Sequence, residues 1–245
     1  MNFNDYTDTE LENKLLELES SALKEDKKLY KEIDLYLCKK DNHRYEKKYY
    51  SLGYNLIAGV DEVGRGPLVG PVVAACVILP KGYDLKGLTD SKKLSEKKRE
   101  YFYVIIMKDA VSVGIGIIYN DVIDDINIYE ATKKAMICAI NSLSIKPDIV
   151  LTDAMKLELD IPVVPIIKGD LKSITISAAS VIAKVTRDRM MYQLDDEYPF
   201  YAFKKNKGYP TKEHIEAIQK YGILKEHRKS YAPIKDSDYS VINWQ

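Results

Sequence analysis

The sequence predicts an α/β fold in which short β-strands are interspersed with helices. Five short runs are rich in apolar and β-branched residues, and most are bounded by glycine, proline or aspartate, as buried strands commonly are. These runs are residues 57–60, 72–78, 111–117, 148–153 and 162–167. Between and after them lie stretches with helix caps or helical spacing, at residues 95–107, 127–142, 173–185 and 211–222.

Length and composition set the class of protein. The chain has 245 residues, of which 46% are hydrophobic, enough for one domain of ample size or a domain with an appendage. Its three cysteines, Cys38, Cys76 and Cys138, form no Cys-x-x-Cys pair, so we expect a reducing compartment and no thiolate metal site. We also expect Cys138 to be a small core residue of its helix. Because no apolar run reaches about 18 residues, we expect a soluble, cytoplasmic protein.

The charges are balanced overall but unevenly distributed. There are 37 basic and 37 acidic residues, and a zero net charge counts mildly against nucleic-acid binding. Residues 184–235 nevertheless hold more basic than acidic side chains, and tyrosines are interleaved with them. Aromatic rings and cations placed together are typical of surfaces that contact nucleic-acid backbones, although packing is the more common role of a tyrosine.

The first 54 residues predict a separate helical extension. Leucines and isoleucines recur there at intervals of three and four residues, which indicates two or three short amphipathic helices. Most of its charges should lie on solvated helix faces. We therefore divide the chain into an N-terminal extension, residues 1–54, and a main domain, residues 55–245, with a C-terminal helical part at about 195–235. We expect the extension to pack on the main domain or to hold a partner.

Two adjacent acids at the end of a buried strand form the first candidate site. Asp61 and Glu62 follow the first predicted strand, and a buried carboxylate is costly without a partner such as a divalent cation. Successive strand residues point to opposite faces, so the two side chains are not expected to face one site on their own. The loop of Gly64, Arg65 and Gly66 offers backbone N–H groups beside a cation, which suits a phosphate; a charged surface turn is the alternative.

Two further acids follow strand-like runs. Asp153 ends the run 148–153 and repeats the arrangement at Asp61, although a turn aspartate is the ordinary interpretation of one such residue alone. Asp170 lies between the run 162–167 and the helix predicted at 173–185, whose small residues indicate close packing.

Two long motifs resemble those of bacterial ribonuclease HII, the type 2 ribonuclease H. The first is Val-Asp-Glu-Val-Gly-Arg-Gly-Pro-Leu-Val-Gly-Pro-Val-Val-Ala-Ala, at residues 60–75. The second is Lys-Gly-Asp-Leu-Lys-Ser-Ile-Thr-Ile-Ser-Ala-Ala-Ser-Val-Ile-Ala-Lys-Val-Thr-Arg-Asp, at residues 168–188. In the family, serine and alanine are commoner than the threonine and serine at positions 175 and 177. The resemblance covers about residues 55–235 and implies a ribonuclease H-like mixed sheet flanked by helices, with a C-terminal helical subdomain.

The resemblance also implies which residues form the site. The catalytic and metal-binding residues would be Asp61, Glu62, Asp153 and Asp170. Oxygen-only ligands favour Mg²⁺ or Mn²⁺ over Zn²⁺, and the expected chemistry uses two such ions with substrate bound. The substrate-binding residues would be Gly64, Arg65, Gly66, Tyr209, Lys92, Lys93, Ser173 and Lys184.

Two of these assignments come from short matches to the family. Tyr209, in Lys-Gly-Tyr-Pro, matches the tyrosine that stacks on the sugar after the ribonucleotide. Lys92 and Lys93 belong to the stretch Asp-Ser-Lys-Lys-Leu at residues 90–94, which in the family lies near the substrate backbone. Simple solvent exposure is the alternative for both lysines.

The implied function is hydrolysis of the RNA strand of RNA–DNA hybrids and cleavage 5′ of single ribonucleotides embedded in duplex DNA. The products would carry 5′-phosphate and 3′-hydroxyl ends, and the role would be ribonucleotide removal from DNA. The expected partners are RNA–DNA hybrid and ribonucleotide-containing duplex DNA, with no membrane, and we expect a monomer. One alternative is a DNA-directed nuclease on the same scaffold. Another is a non-catalytic hybrid-binding protein, against which the presence of all four acids argues.

Overall fold

A five-stranded mixed sheet lies at the centre of the computed structural model, which describes residues 2–88 and 91–238. Its strands are β1 (Ile57–Val63), β2 (Val72–Ile78), β3 (Ser112–Ile118), β4 (Ile149–Asp153) and β5 (Val163–Ile166). The spatial order is β3-β2-β1-β4-β5; β2 is antiparallel to β1 and β3, whereas β4 is parallel to β1 and β5. The predicted strands and the mixed sheet are confirmed. Asp90, the first residue of the predicted lysine stretch, lies outside the described residues.

Eight α-helices accompany the sheet in the described part of the chain. They are α1 (Asp8–Glu19), α2 (Lys24–Lys40), α3 (Arg44–Ser51), α4 (Glu96–Asp109), α5 (Asn120–Asn141), α6 (Ile174–Glu197), α7 (Phe203–Asn206) and α8 (Lys212–Tyr221). The predicted caps of α4 and α8 are confirmed. The hydroxyl of Ser95 accepts a hydrogen bond from the backbone N–H of Lys98, and that of Thr211 accepts one from His214.

The predicted helix at 127–142 is the second half of a longer one. Asn127 lies within α5 at a φ of 68°, and its side-chain oxygen accepts hydrogen bonds from the N–H groups of Tyr129 and Glu130. It therefore caps the second half of α5, as its residue type indicates, while the first half was not predicted. The expectation that Cys138 is a core residue is wrong, because it lies on the exposed side of α5.

Helices α5 and α6 cover opposite faces of the sheet at very short range. A Cβ atom at Gly116 of β3 would lie 2.0 Å from the carbonyl oxygen of Ala135 in α5. One at Gly59 of β1 would lie 2.2 Å from the carbonyl carbon of Thr175 in α6. Only glycine permits such backbone contact, which brings the start of α6 against the strand that carries the first two acids.

The N-terminal helices have a small core of their own and also pack on the sheet. Leu11 and Leu15 of α1 pack with Ile33 and Leu37 of α2, as predicted for amphipathic helices. The tyrosines of α3 pack on apolar residues from β1, β4, β5 and α6. The members of this shared cluster include Tyr45, Tyr49, Tyr50, Ile57, Ile149, Leu151, Ile166 and Ile176. Residues of the extension and of the main domain thus share one apolar cluster.

The helical part that follows α6 has an aromatic core. The rings of Tyr201 and Phe203 stack with centroids 5.4 Å apart, and the buried imidazoles of His214 and His227 pack beside them. Burial lowers the pKa of His214 and lowers that of His227 to about 3, so both rings are neutral near pH 7. Within the described residues, no helix is both long and apolar enough to cross a membrane.

Gly59→Ala tests the contact between β1 and α6. The added methyl group meets backbone that cannot rotate away, so we expect a loss of about 2 kcal/mol or more in the free energy of unfolding. Gly82→Ala is the control, because a Cβ there meets nothing within 4 Å and only its φ of 73° is unfavourable, at about 1 kcal/mol. Urea denaturation measures both. An equal effect at the two positions would contradict the steric interpretation.

Candidate active site

The two strands that carry predicted acids are neighbours, so their acids lie side by side. β1 and β4 are parallel, and their register pairs Val60 with Thr152. Asp61 and Asp153 are the next residues on the two strands and therefore reach the same edge of the sheet. Asp61 faces α6, because alternation places it on the same side of β1 as Gly59.

Burial and repulsion between neighbouring carboxylates raise the pKa of Asp61 and of Glu62. Asp61 is only 6% exposed, and desolvation, followed by the charges of Glu62 and Asp153, raises its pKa well above the usual value. Desolvation also raises the pKa of Glu62; the charge of Arg65 opposes this effect and that of Asp153 adds to it. Since both groups feel Asp153, the three acids form one electrostatic unit, although Asp61 and Glu62 are consecutive residues of a strand.

Hydrogen bonds hold Asp61, whereas Glu62 keeps one oxygen unpaired. The Oδ1 atom of Asp61 accepts the N–H of Glu62 at 2.7 Å, and the hydroxyl of Ser180 in α6 donates to the same carboxylate. The Oε1 atom of Glu62 lies 3.5 Å from Nη1 of Arg65. Its Oε2 atom is buried and has no hydrogen-bond partner in the described part of the chain. Such an oxygen is costly unless a donor or a cation meets it.

A short 3₁₀ helix, Gly169–Leu171, brings the fourth acid to the same edge. Asp170 lies within it and is 7% exposed. The N–H of Gly169 donates to Oδ1 of Asp153 at 2.8 Å, and the hydroxyl of Ser177 in α6 donates to the carbonyl oxygen of Asp170 at 2.8 Å. These bonds connect the backbone around Asp170 to the third acid on one side and to α6 on the other.

The donor set fits a divalent cation, although it does not form a closed cage. Within residues 2–88 and 91–238, no group of three or more histidine, cysteine or acidic side chains is arranged to hold a metal ion. Like charges at short range repel one another, which opposes such convergence. Carboxylate oxygens alone, one of them the unpaired Oε2 of Glu62, are ligands suited to Mg²⁺ or Mn²⁺. The residues that would hold the ion are Asp61, Glu62, Asp153 and Asp170.

A buried arginine that sequence reasoning missed holds the glycine loop. The guanidinium of Arg228 donates from Nη2 to the carbonyl oxygen of Gly64 at 2.6 Å and from Nη1 to that of Arg65 at 3.0 Å. It also donates to the carbonyl of Gly70, and the hydroxyl of Tyr231 donates to the carbonyl of Arg65 at 2.7 Å. Arg228 and Tyr231 thus occupy the carbonyl oxygens of Gly64, Arg65 and Gly70 and fix the conformation of the loop.

A second buried arginine, also missed, holds the end of the same loop. Arg187 of α6 donates from Nε to the carbonyl oxygen of Pro71 and from Nη2 to that of Val69, each at 3.0 Å. Its Nη1 atom donates to the carbonyl of Lys207 at 3.0 Å. One side chain thus joins the loop to the segment that precedes Tyr209.

Tyr209 lies against the glycine loop. A Cβ atom at Gly66 would lie 3.3 Å from Cε1 of the Tyr209 ring, and the N–H of Leu68 donates to the carbonyl of Gly208 at 2.8 Å. The tyrosine is 43% exposed, so its ring is accessible beside the loop. Two predicted substrate-binding elements, distant in sequence, are therefore adjacent in the structure.

Two serines, Ser91 and Ser180, connect the segment that carries Lys92 and Lys93 to the acids. Lys92 and Lys93 are exposed, whereas Ser91 just before them is buried. The hydroxyl of Ser91 lies 2.8 Å from that of Ser180, which also binds the carboxylate of Asp61. Arg99 of α4 donates to the carbonyl of Ser91 and so supports this segment from behind.

The remaining two predicted substrate residues point inward. Lys184 is largely buried and forms an ion pair with Asp188 at 2.6 Å, and burial lowers its pKa. Ser173 is completely buried, caps α6, and donates its hydroxyl to Glu46 of α3 at 2.5 Å. Their hydrogen-bond partners are thus protein groups, and a role in binding substrate stays a prediction.

Known proteins resemble the chain along most of its length. A family description of ribonuclease HII matches residues 58–233. A ribonuclease HII of Bacillus cytotoxicus is 55% identical over 213 residues, which cover 87% of this chain and 81% of that protein. The crystal structure of ribonuclease H2 from Pyrococcus horikoshii is 27% identical with a TM-score of 0.64, covering 74% of this chain and 96% of that one. Bst-RNase HIII, solved with Mn²⁺, shares the fold at 16% identity and a TM-score of 0.54, with coverages of 74% and 68%.

Asp61→Asn should stabilise the protein in metal-free buffer near pH 8. A raised pKa means that the folded protein holds the proton of Asp61 more tightly than the unfolded chain does. The cost of burying the charge is therefore absent below the unfolded pKa of about 4 and grows as the pH rises toward the folded pKa. The gain in stability from Asp61→Asn should therefore be largest near pH 8 and should shrink toward pH 4.

Urea denaturation in EDTA at several pH values measures this effect. Glu25→Gln is the matched control, since Glu25 is an exposed carboxylate of α2 and its removal should change little at any pH. A variant Asp61→Asn that is less stable than the parent at pH 8 would show that the carboxylate is favourably paired in the folded protein.

Proposed function

Because the chain belongs to the ribonuclease HII family, endonucleases that cleave the RNA strand of RNA–DNA hybrids, we propose that it also cuts 5′ of single ribonucleotides embedded in duplex DNA. The products carry 5′-phosphate and 3′-hydroxyl ends, and the role is removal of ribonucleotides from DNA. The observation that supports this proposal is the shared electrostatic unit of Asp61, Glu62 and Asp153 at the ends of two adjacent strands.

The four acids are assigned to two divalent ions, Mg²⁺ or Mn²⁺. Bound ions of this kind activate a water molecule and stabilise the leaving 3′ oxygen of a phosphodiester. Asp61 is held for this task by Ser180, and Glu62 contributes an oxygen that no protein donor occupies. Asp153 is oriented by a backbone N–H, and Asp170 follows that N–H by one residue. The solved ribonuclease HIII that contains Mn²⁺ supports the same choice of ion.

Substrate phosphates are assigned to the positive and N–H-rich surface around the acids. The loop at residues 64–66 offers backbone N–H groups to phosphates, and Arg228 fixes its conformation through the carbonyl oxygens of Gly64 and Arg65. Arg65 is 46% exposed and places its charge beside Glu62. Lys92 and Lys93 extend from the segment that Ser91 anchors near Asp61, which suits them to phosphates further along the same strand.

The junction between a ribonucleotide and the following deoxyribonucleotide is assigned to the loop and Tyr209 together. Only the 2′-hydroxyl distinguishes the two sugars, and it both donates and accepts hydrogen bonds. The backbone at Gly64 and Gly66 carries no side chain and allows a sugar to approach closely. The exposed ring of Tyr209 lies next to Gly66 and offers a stacking surface for the sugar that follows.

The remaining parts of the proposal concern organisation and setting. Residues 1–54 are an extension that does no chemistry, and residues 55–245 form the catalytic domain with a C-terminal part that contacts substrate. The protein acts as a monomer in the cytoplasm, on RNA–DNA hybrids and on DNA duplexes that contain ribonucleotides. The apolar packing of α3 on the sheet supports a fixed rather than a tethered extension.

Cleavage of a DNA duplex with one embedded ribonucleotide tests the proposed activity. We expect Mg²⁺-dependent cutting on the 5′ side of the ribonucleotide, and no cutting of the same duplex made of DNA alone. Asp61→Asn and Asp153→Asn should each lower the rate by a factor of about 10³ or more, because each removes a charged ligand without changing shape. Glu25→Gln is the folded control with parental activity.

The possible failures of this assay point to different functions. Cutting of the all-DNA duplex would favour a DNA-directed nuclease, and binding of hybrid without cutting would favour a non-catalytic binding protein. Near-parental cleavage by Asp153→Asn at saturating Mg²⁺ would contradict the assignment of the acids.

Tyr209→Ala tests the proposed junction reader. Loss of the ring should reduce cleavage at a single embedded ribonucleotide by about tenfold or more, in line with about 1–3 kcal/mol for an aromatic stacking contact. Cleavage within a continuous RNA strand should fall much less. Tyr209→Phe keeps the ring and should behave like the parent, while thermal melting checks stability. An equal loss on the two substrates would make Tyr209 a packing residue.

A further inference from the structure

A buried carboxyl group of the extension accepts hydrogen bonds from the start of α6. Glu46 is 2% exposed, and its Oε1 atom accepts hydrogen bonds from the hydroxyl of Ser173 at 2.5 Å. The same atom accepts the N–H and the hydroxyl of Thr175, at 3.1 and 2.8 Å. N–H groups in the first turn of a helix have no partner within the helix, so an acceptor from outside has to supply one. Glu46, far away in sequence, has this role for α6.

Two further bonds from the extension hold the residues on either side of Ser173. Asp34 of α2 is 1% exposed and accepts the ammonium group of Lys172 at 2.5 Å, while Lys172 itself is 5% exposed. The N–H of Ile174 donates to the carbonyl oxygen of Asn42 at 2.9 Å. Every residue from 172 to 175 therefore makes a polar contact with the extension or with a residue that does.

This segment is the direct continuation of the fourth acid. Asp170 is separated from Lys172 by a single residue, and the N–H groups of Lys172 and Ser173 both donate to the carbonyl of Gly169. The hydroxyl of Ser177, one turn into α6, donates to the carbonyl oxygen of Asp170. The backbone beside Asp170 is thus bonded to Lys172 and Ser173, which the extension contacts, and to Ser177, whose hydroxyl also donates to the carbonyl of Ser173.

We propose that Glu46 and Asp34 are positioning residues of the active site, which fix residues 172–175 and through them the carboxylate of Asp170. The extension then contributes to catalysis without touching the substrate. The inference rests on the proposed role of Asp170 as a metal ligand. Buried outer contacts of this kind typically change metal affinity or activity by about 10–100-fold when removed.

Mn²⁺ binding to the full-length protein without substrate, measured by titration calorimetry, tests the proposal. We expect Glu46→Ala to weaken Mn²⁺ binding by about tenfold and to lower kcat by a similar factor, with KM for the duplex changed by less than about twofold. Glu46→Gln keeps an acceptor oxygen at the same place and should restore most of both values. Glu25→Gln, on the exposed face of α2, should leave both values unchanged.

Two additional variants make each outcome decisive. Asp170→Asn should weaken Mn²⁺ binding by itself; if it does not, the proposed function of Asp170 fails and the inference with it. If Asp170→Asn weakens binding but the folded Glu46→Ala variant binds Mn²⁺ and turns over normally, only the inference about the extension is overturned. A loss confined to KM would overturn it as well, since it would place Glu46 in substrate binding.

A more conservative variant tests the proposal if Glu46→Ala fails to fold. If Glu46→Ala does not fold by circular dichroism, Glu46→Asp withdraws the carboxylate by one methylene while keeping its charge. We then expect faster hydrogen exchange at residues 173–177 together with the weaker Mn²⁺ binding. Parental exchange and binding in Glu46→Asp, or unfolding of both variants, would mean that Glu46 serves general stability and would overturn the proposal.

Discussion

The arrangement of the site depends on two buried guanidinium groups that satisfy backbone carbonyls between β1 and β2. A loop that leaves one strand and enters the next has carbonyl oxygens without sheet partners, and burying them unpaired is unfavourable. Arg187 and Arg228, both completely buried, supply the missing donors. Burial, followed by the charge of Arg228, lowers the pKa of Arg187 to about 10, so it is still charged near pH 7. Because both arginines follow the last strand in sequence, the chain beyond β5 fixes the shape of the loop between β1 and β2.

Helix α6 packs closely on the sheet and contributes two side chains that contact Asp61 and Asp170. Its small side chains allow backbone contact with β1 at Gly59, and this proximity lets two serine hydroxyls reach the acids. Ser180 bonds to the Asp61 carboxylate and Ser177 to the backbone of Asp170. A larger residue at either serine would separate the helix from the sheet and remove a donor at the same time. The same helix also supplies Arg187, so the loop and the acids share one rigid support.

The sequence predicted those features that depend on nearby residues. Apolar runs indicated the strands, and local cap residues such as Ser95 and Thr211 indicated helix starts, because their partners lie three residues away. Arg187 and Arg228 could not be singled out, since their partners in the loop between β1 and β2 are backbone carbonyls more than 100 residues distant that no residue type marks. The prediction for Cys138 failed for another reason. The buried side of this half of α5 is formed by Ala131, Thr132, Ala135, Met136, Ala139 and Ile140, and Cys138 lies on the opposite side of the helix.

The charged composition of the N-terminal extension does not reveal that two of its acids are buried. Its many charges predict a solvated surface, and most of them are exposed. Asp34 and Glu46 are the exceptions, and charged groups are rarely buried unless they are paired. Lys172 donates to Asp34, and Ser173 and Thr175 donate to Glu46, so both buried acids contact the segment that follows Asp170. Asp34 also accepts hydrogen bonds from Arg44 and Tyr45 of α3. A division of the chain at residue 54 places all the family motifs in one part of the sequence. In the structure, however, residues on the two sides of that division share the apolar cluster around α3 and the polar contacts to residues 172–175.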